Sequence, residues 1–254
     1  MRVNLIGTGN VAWHLARAFK QAGVEVVAVA GRASEPLQAL SNSIQAQPVS
    51  WPAALPEADV TILAVSDRAV AQVAQQLPED TLAVHTSGSV PLEDMGTGRR
   101  GVFYPLQTFS KTVAVDFTGI PLCVEAAQAG DLTTLEALGT TLGMDVRRIS
   151  SAQRATLHLA AVFACNFPNA LYETASRILQ SGGMELDLLY PLMHATTEKA
   201  VSQPPLDAQT GPARRGDHPV LDTHLRALQD QPELAALYQQ LSDLIRNRYH
   251  GPEL

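Results

Sequence analysis

Short apolar runs alternate with stretches of helical period through the first 150 residues. Runs at Val3–Ile6, Val24–Ala30, Val60–Val65, Leu82–His85, Val102–Tyr104, Leu122–Glu125 and Val146–Ile149 predict strands. Between them, Asn10–Gln21, Arg68–Gln76 and Leu132–Leu142 space their apolar residues as helices lying on a sheet do. Such alternation produces a mostly parallel sheet covered by helices. Beyond Ser150 the strand signal fades, and Ala152–Gln180, Leu186–Val201, Thr223–Leu228 and Pro232–Arg248 read as helices. Pro204, Pro205, Gly211, Pro212 and Gly216 interrupt them in a loop of about twenty residues, longer than most connections within a compact domain. The expected architecture is α/β, with one domain over 1–150 and an all-helical domain over 151–254. No internal repeat or low-complexity tract breaks this division.

Composition narrows the class without naming it. At 254 residues and 46% hydrophobic, the chain can build a sizeable core without metal or disulfide support. Its net charge of −7 argues against a nucleic-acid partner, although a local basic pocket can still bind a phosphate. Only Cys123 and Cys165 occur, with no CxxC pair and no Cys/His cluster at zinc spacing, so a reducing cytoplasm and no metal are expected. The opening apolar run breaks at Gly7, too short for a secretory leader, and no window approaches a membrane span.

The most informative segment is Val3 to Ala12, a strand running into GxGxxA at a helix start. Gly7 permits a tight turn, Gly9 lets the backbone approach a pyrophosphate, and Ala12 allows close helix–strand packing. Amides around Thr8, Asn10 and Val11 then face the anion at the helix N-terminus. A plain turn after a strand carries similar glycines, but the placement directly after the first strand favours dinucleotide binding. At the end of the second strand, Gly31 occupies the position where an NAD site usually has an acid. Arg32, with Ser34 as a hydroxyl donor, accommodates a 2′-phosphate instead, so NADP(H) is the expected cofactor, against a solvated surface arginine.

Strand C-termini of an open parallel sheet form the ligand crevice. Val65 and Ser66 should therefore line the cofactor, and Thr86, Ser87, Gly88 and Ser89 could hold a carboxylate or the nicotinamide amide. Small polar residues also make ordinary strand-exit turns, and His85 reads chiefly as a structural donor. In the helical half, Arg154, His158, Cys165, Asn166 and Asn169 interrupt an apolar stretch. At about 100° per residue, Cys165 falls about 20° short of His158's direction, Asn169 about 20° past it and Asn166 about 80° past. This predicts a polar stripe on a buried helix, in need of a partner or ligand. His158 and Asn166 stand roughly 12 Å apart along that helix, too far for both to touch one atom. The alternative is a hydrogen-bonded core histidine. In the loop, Thr210, Arg215 and Asp217 supply a hydroxyl, a cation and a carboxylate, as a site-lining loop or a solvated linker would.

Taken together, GTGNVAWHLARAF, HTSGS, GVFYPLQTFS, HLAAVFACNFPNALY and QTGPARRGD resemble a family of bacterial Rossmann-like NADP oxidoreductases with a C-terminal helical domain of unknown function. That family is similar to the β-hydroxyacid dehydrogenase, ketopantoate reductase and pyrroline-5-carboxylate reductase group. The resemblance implies a 6-phosphogluconate-dehydrogenase-like helical domain that usually dimerises. It places His158 near the catalytic lysine of several of those enzymes. Asn166 resembles the second substrate-side asparagine of ketopantoate reductases, and Val162 stands where those have another. Tyr104 to Thr108, with Gln107 among them, resembles the Met-Pro-Asn segment beside the nicotinamide in pyrroline-5-carboxylate reductases.

The expectation is an NADPH-dependent reductase that transfers hydride to the C=O or C=N carbon of a small carboxylate-bearing substrate, with a ketopantoate-like 2-keto acid first to test. His158 would give the proton, because imidazole exchanges protons near neutral pH. Asn166, Asn169, Ser87, Gly88, Gln107 and Thr210 would position the substrate, and Arg215 would bind its carboxylate. The rival expectation is a non-catalytic NADP(H)-binding sensor or partner-binding protein. A homodimer through the helical domain is also expected, while Leu237, Leu241, Leu244 and Ile245 fit an intrachain core as well as an interface.

Overall fold

The protein's structure, a computed structural model, describes residues 1–251. Residues 252–254, the end of the expected helical domain, lie outside it. In chain order the strands are β1 (Arg2–Ile6), β2 (Glu25–Gly31), β3 (Gln47–Ser50), β4 (Val60–Leu63), β5 (Ala83–His85), β6 (Arg100–Pro105), β7 (Pro121–Ala126) and β8 (Asp145–Arg148). They make one sheet of order β3-β2-β1-β4-β5-β6-β7-β8. All pairs are parallel except β6 with β7. That exception has a local cause: no crossover helix lies between Leu106 and Ile120, so the chain turns straight back.

Four helices cover this sheet: α1 (Asn10–Gln21), α2 (Glu35–Ile44), α3 (Asp67–Gln75) and α4 (Ala129–Thr141). The central strands are buried on both faces, as continuous apolar runs require. Val3, Leu5, Ile62 and Val84 pack with Leu15 and Phe19 of α1 and Leu135 and Leu138 of α4 on one side. Ile6, Leu63 and Ala83 pack with Val70 and Ala74 of α3 on the other. Two elements escape the apolar pattern. β3 is an edge strand with a proline and one buried side chain, Val49, and α2 buries only Leu37, Leu40, Ser41 and Ile44.

After the sheet come α5 (Ser151–Ala161), a π-helical turn (Val162–Asn166) and α6 (Phe167–Ser181). Next are α7 (Tyr190–Ser202), the one-turn helices α8 (Pro205–Ala208) and α9 (Pro212–Arg215), α10 (His218–Ala227) and α11 (Pro232–His250). The predicted Ala152–Gln180 helix is thus interrupted, the presumed irregular loop contains two helical turns, and the helix expected at Thr223 already starts at His218. Contacts divide the chain into two compact units, Met1–Leu171 and a second that begins at Tyr172. The first therefore includes α5 and the start of α6.

One expectation is corrected here. The helix from His158 to Leu171 is not buried within the chain, and Arg154 is the buried residue of α5 while α6 has none. Apolar residues exposed along it include Leu159 at 60%, Phe163 at 63% and Phe167 at 47%. The π turn also accommodates an extra residue per turn, so the α-helical phase that aligned His158, Cys165 and Asn169 does not carry through it.

Candidate active site

Gly7 adopts φ +125°, and a Cβ there would stand 2.1 Å from the Ala64 carbonyl oxygen. Only glycine allows this approach of the loop to the end of β4. Gly9 faces open space and precedes α1 without a side-chain cap, and the first turn of α1 carries no acid. The first-turn amides around Asn10 and Val11 are thus free to take an anion. A pyrophosphate fits such a cradle, because backbone donors are present and nothing fills the space above Gly9. Arg32 and Ser34 are exposed just past β2, and Ser34 Oγ donates to the Arg32 carbonyl at 2.9 Å, bracing the turn. Thr8 lies against Gly31, where a Cβ would meet its methyl group at 3.4 Å. Val65 is half-buried and Ser66 exposed at the start of α3.

The exit of β5 is a tightly bonded turn. Ser87 N–H donates to His85 Nδ1 at 3.1 Å, and Ser87 Oγ accepts from the amides of Ser89 and Val90, each at 3.1 Å. Ser89 Oγ donates to Asp67 Oδ2 at 2.6 Å. His85 is buried, and desolvation followed by the nearby Arg154 charge lowers its pKa to about 4, against the partial pull of Asp67 and Glu125. It is neutral at physiological pH and shapes the turn.

Gly88, in the same turn, sits against His158. A Cβ at Gly88 would lie 2.6 Å from His158 Nδ1 and 2.9 Å from Tyr104 Cζ. Tyr104, near the end of β6, holds its hydroxyl 3.1 Å from His158 Nδ1. Burial is the main cause that pushes its phenol up to about 12, so it stays neutral. The structure thus brings Ser87, Gly88 and His158 together with Tyr104, the first residue of the Tyr104–Thr108 segment, to which the sequence assigned no role of its own. The strand-end rule that pointed to β4 and β5 would have found it when applied to β6.

What holds His158 there is one helical turn upstream. Ser150 and Gln153 form a capping box at the start of α5, legible as S-x-x-Q. Arg154 is fully buried; it donates to Glu125 Oε2 of β7 at 2.7 Å and to the Val90 carbonyl at 2.5 Å. Ser151 Oγ donates to the same Glu125 oxygen at 2.7 Å and accepts from Leu92 N–H at 2.9 Å. Four residues on from Arg154, His158 falls on the same helix face, over Gly88.

The other candidates are placed less tightly. Gln107 is exposed, and its side-chain oxygen accepts from Thr108 N–H at 2.8 Å. Cys165 and Asn166 are exposed in the π turn, and Asn169 is exposed in α6. In the second unit Thr210 is exposed, and Arg215 makes a 3.8 Å ion pair with Asp217. Among the described residues no cluster of His, Cys, Asp and Glu could hold a metal, and no helix is long and apolar enough to cross a membrane.

A strand–glycine-loop–helix cradle at the carboxyl edge of a mostly parallel sheet is the Rossmann arrangement for holding a dinucleotide. Residues 2–86 match the family model described as NADP oxidoreductase, coenzyme F420-dependent, and residues 120–245 match a domain of unknown function, DUF2520. A structure of a candidate NADP oxidoreductase from Bacteroides fragilis is 38% identical, with a TM-score of 0.90 over 97% of this chain and 98% of that one. The chain belongs to this family, which joins an NADP oxidoreductase domain to a DUF2520 domain. A Thermotoga maritima protein is similar at 24% identity, with a TM-score of 0.81 over 96% of this chain and 98% of that one. A reductive aminase from Aspergillus terreus, in complex with NADPH and ethyl-5-oxohexanoate, shares the fold at 15% identity; its TM-score is 0.70 over 99% of this chain and 96% of that one. No curated protein matches.

Proposed function

We propose that the protein is an NADPH-dependent reductase of a small carbonyl or imine compound bearing a carboxylate, and that His158 is its proton donor. The observation that carries this reading is the approach of His158 to Gly88 and Tyr104 at the carboxyl ends of β5 and β6. When bound, NADPH supplies the hydride. The Gly7–Val11 loop would hold its pyrophosphate, Arg32 and Ser34 its 2′-phosphate, and Val65, Ser66 and Ser87 would border the remainder.

An imidazolium has two N–H donors. In the proposed acid form, His158 Nδ1–H donates to the Tyr104 oxygen, which fixes the ring, and Nε2–H goes to the substrate oxygen or nitrogen as negative charge develops there. The neutral imidazole left behind keeps its Nδ1 proton on Tyr104. Gly88, Gln107, Asn166 and Asn169 offer amide groups for orienting the substrate. Within the second unit, Thr210 offers a hydroxyl, and Arg215, whose pairing with Asp217 is long, keeps the capacity to take a carboxylate.

Residues 1–150 are assigned to cofactor binding and those from 151 on to substrate binding and dimerisation. The exposed apolar residues Leu159, Phe163 and Phe167 support a homodimer through the helices after Ser150. Two unpaired cysteines support a reducing, cytoplasmic setting. The test is a screen of 2-keto acids and cyclic imines followed by NADPH absorbance, starting with a ketopantoate-like acid. NADPH binding with no turnover across that screen, and an unaltered protein on His158→Gln, would favour a non-catalytic sensor.

A further inference from the structure

The segment between β6 and β7 does more than turn the chain. It is strapped at three points, one on the dinucleotide loop and two on the α1 helix that follows it. Asn10 Nδ2 donates to the Phe109 carbonyl at 2.8 Å, His14 Nε2 lies 2.9 Å from the Ser110 carbonyl, and Lys111 Nζ donates to the Thr8 carbonyl at 3.1 Å. The Phe109 ring packs against those of His14 and Phe117, with centroids 5.5 and 5.9 Å away. Lys111 also stands 5.2 Å from the centre of the Trp13 ring.

Lys111 is exposed, and among the described residues no carboxylate pairs with it, although the chain carries 25 acidic residues against 18 Lys and Arg. An ammonium has three N–H donors, and the Thr8 carbonyl takes one. Its charge therefore sits, unneutralised, on the backbone of a loop whose neighbouring amides are open and whose helix start is free of acids. A cation held there complements the same anion that the amides face.

We propose that Lys111 is the cation that binds the cofactor's pyrophosphate, with the 106–117 segment serving as the strap that carries it to the loop. The pyrophosphate is the target because Lys111 is anchored to Thr8, between Gly7 and Gly9, whereas Arg32 stands at the end of β2. NADPH and NADH share the pyrophosphate and differ in the 2′-phosphate, so they separate the two cations.

The experiment is calorimetric titration of the full-length protein with NADPH and with NADH, independent of any substrate. Lys111→Met should weaken both cofactors by the same factor, about tenfold for the loss of a hydrogen bond to a charged group. Lys111→Arg, which keeps the charge, should bind nearly as the wild type does, and Arg32→Ala should weaken NADPH alone. The Lys111→Met affinities should also depend less on salt. Unchanged affinity in Lys111→Met, a loss confined to NADPH, or an equal loss in Lys111→Arg would each overturn the assignment. A wild-type protein that binds neither nucleotide would instead remove the cofactor site itself.

Discussion

Tyr104 and His158, 54 positions apart in the chain, meet edge to face with ring centroids 6.1 Å apart and a hydroxyl-to-Nδ1 distance of 3.1 Å. The contact fixes the ring from one side and leaves Nε2 to exchange a proton. His158→Gln should lower single-turnover hydride transfer by roughly 10²–10⁴ with NADPH affinity intact, since general acid catalysis acts in the transition state. Tyr104→Phe should cost less, about tenfold, and should alter the tautomer balance of the His158 ring seen by nitrogen-15 NMR. A folded His158→Gln variant with wild-type hydride transfer would end His158's candidacy and move suspicion to a bound water.

Gly88 tests the same geometry from the opposite wall. A methyl group there would fall 2.6 Å from His158 Nδ1 and 2.7 Å from its Cγ, so the ring must move. Gly88→Ala should destabilise the protein by about 1–3 kcal/mol through overpacking. Displacement of the imidazole should lower turnover roughly 10²-fold at saturating NADPH. Melting curves and kcat together decide it: normal turnover in a folded Gly88→Ala protein would separate His158 from the chemistry.

The parts of this site legible in the sequence are those whose chemistry is local. Gly7, Gly9 and Ala12 announce the cradle because a turn, an anion and a helix packing contact fall within six consecutive residues. Ser150 and Gln153 announce a helix start for the same reason. Lys111 was invisible, and Tyr104 was marked only through its segment, because the meaning of each depends on a partner far along the chain, Thr8 and His158. The π turn at Val162–Asn166 carries no compositional mark, and it undid the angular argument for Cys165 and Asn169. The sheet was legible wherever strands are buried on both faces, as in β1 and β4, and illegible at the edge strand β3.

His85 gives the pH dependence a sign. Its folded pKa of about 4 lies below the ordinary 6.5, so the unfolded chain takes up a proton that the folded one refuses. Stability from this residue is complete well above pH 6.5 and is lost as pH falls through 6.5 toward 4. Between pH 6.5 and 5 the loss should be about 1.5 kcal/mol, as the difference in bound protons rises from about half to nearly one over that range. Urea melts of the wild type and His85→Asn across this window measure it. Equal slopes for the two would place the acid sensitivity elsewhere.

Arg154 should be among the costliest residues to change. Its guanidinium is fully buried, and Glu125 Oε2 accepts from both Arg154 and Ser151. Arg154→Met leaves the Glu125 carboxylate without its counter-charge, at a cost of about 3–5 kcal/mol. Replacing both Arg154 and Glu125 with methionine should recover part of that loss, because no lone charge remains. A single-variant loss under about 1 kcal/mol would mean that the pair is solvated and that α5 is anchored by its capping box.

The apolar face of the helix from Ser151 to Ser181 makes the last prediction, a homodimer. Leu159, Phe163 and Phe167 are exposed in the chain alone, with the Phe163 and Phe167 rings in edge-to-face contact at 4.8 Å, and Leu171 is exposed after them. Burying a phenylalanine stabilises by about 1.5–3 kcal/mol, so leaving two of them in water forgoes an amount comparable to a large part of ordinary domain stability. A second copy can cover these residues with its own, since a two-fold axis sets the same patch on both sides. Sedimentation at micromolar concentration should give a dimer, and the melting temperature should rise with protein concentration. Phe163→Glu should dissociate it. Because Phe163 is already exposed within its own chain, the substitution should leave the Rossmann unit able to bind NADPH. A wild-type monomer at micromolar concentration, or a Phe163→Glu variant that remains dimeric, would exclude this face as the interface.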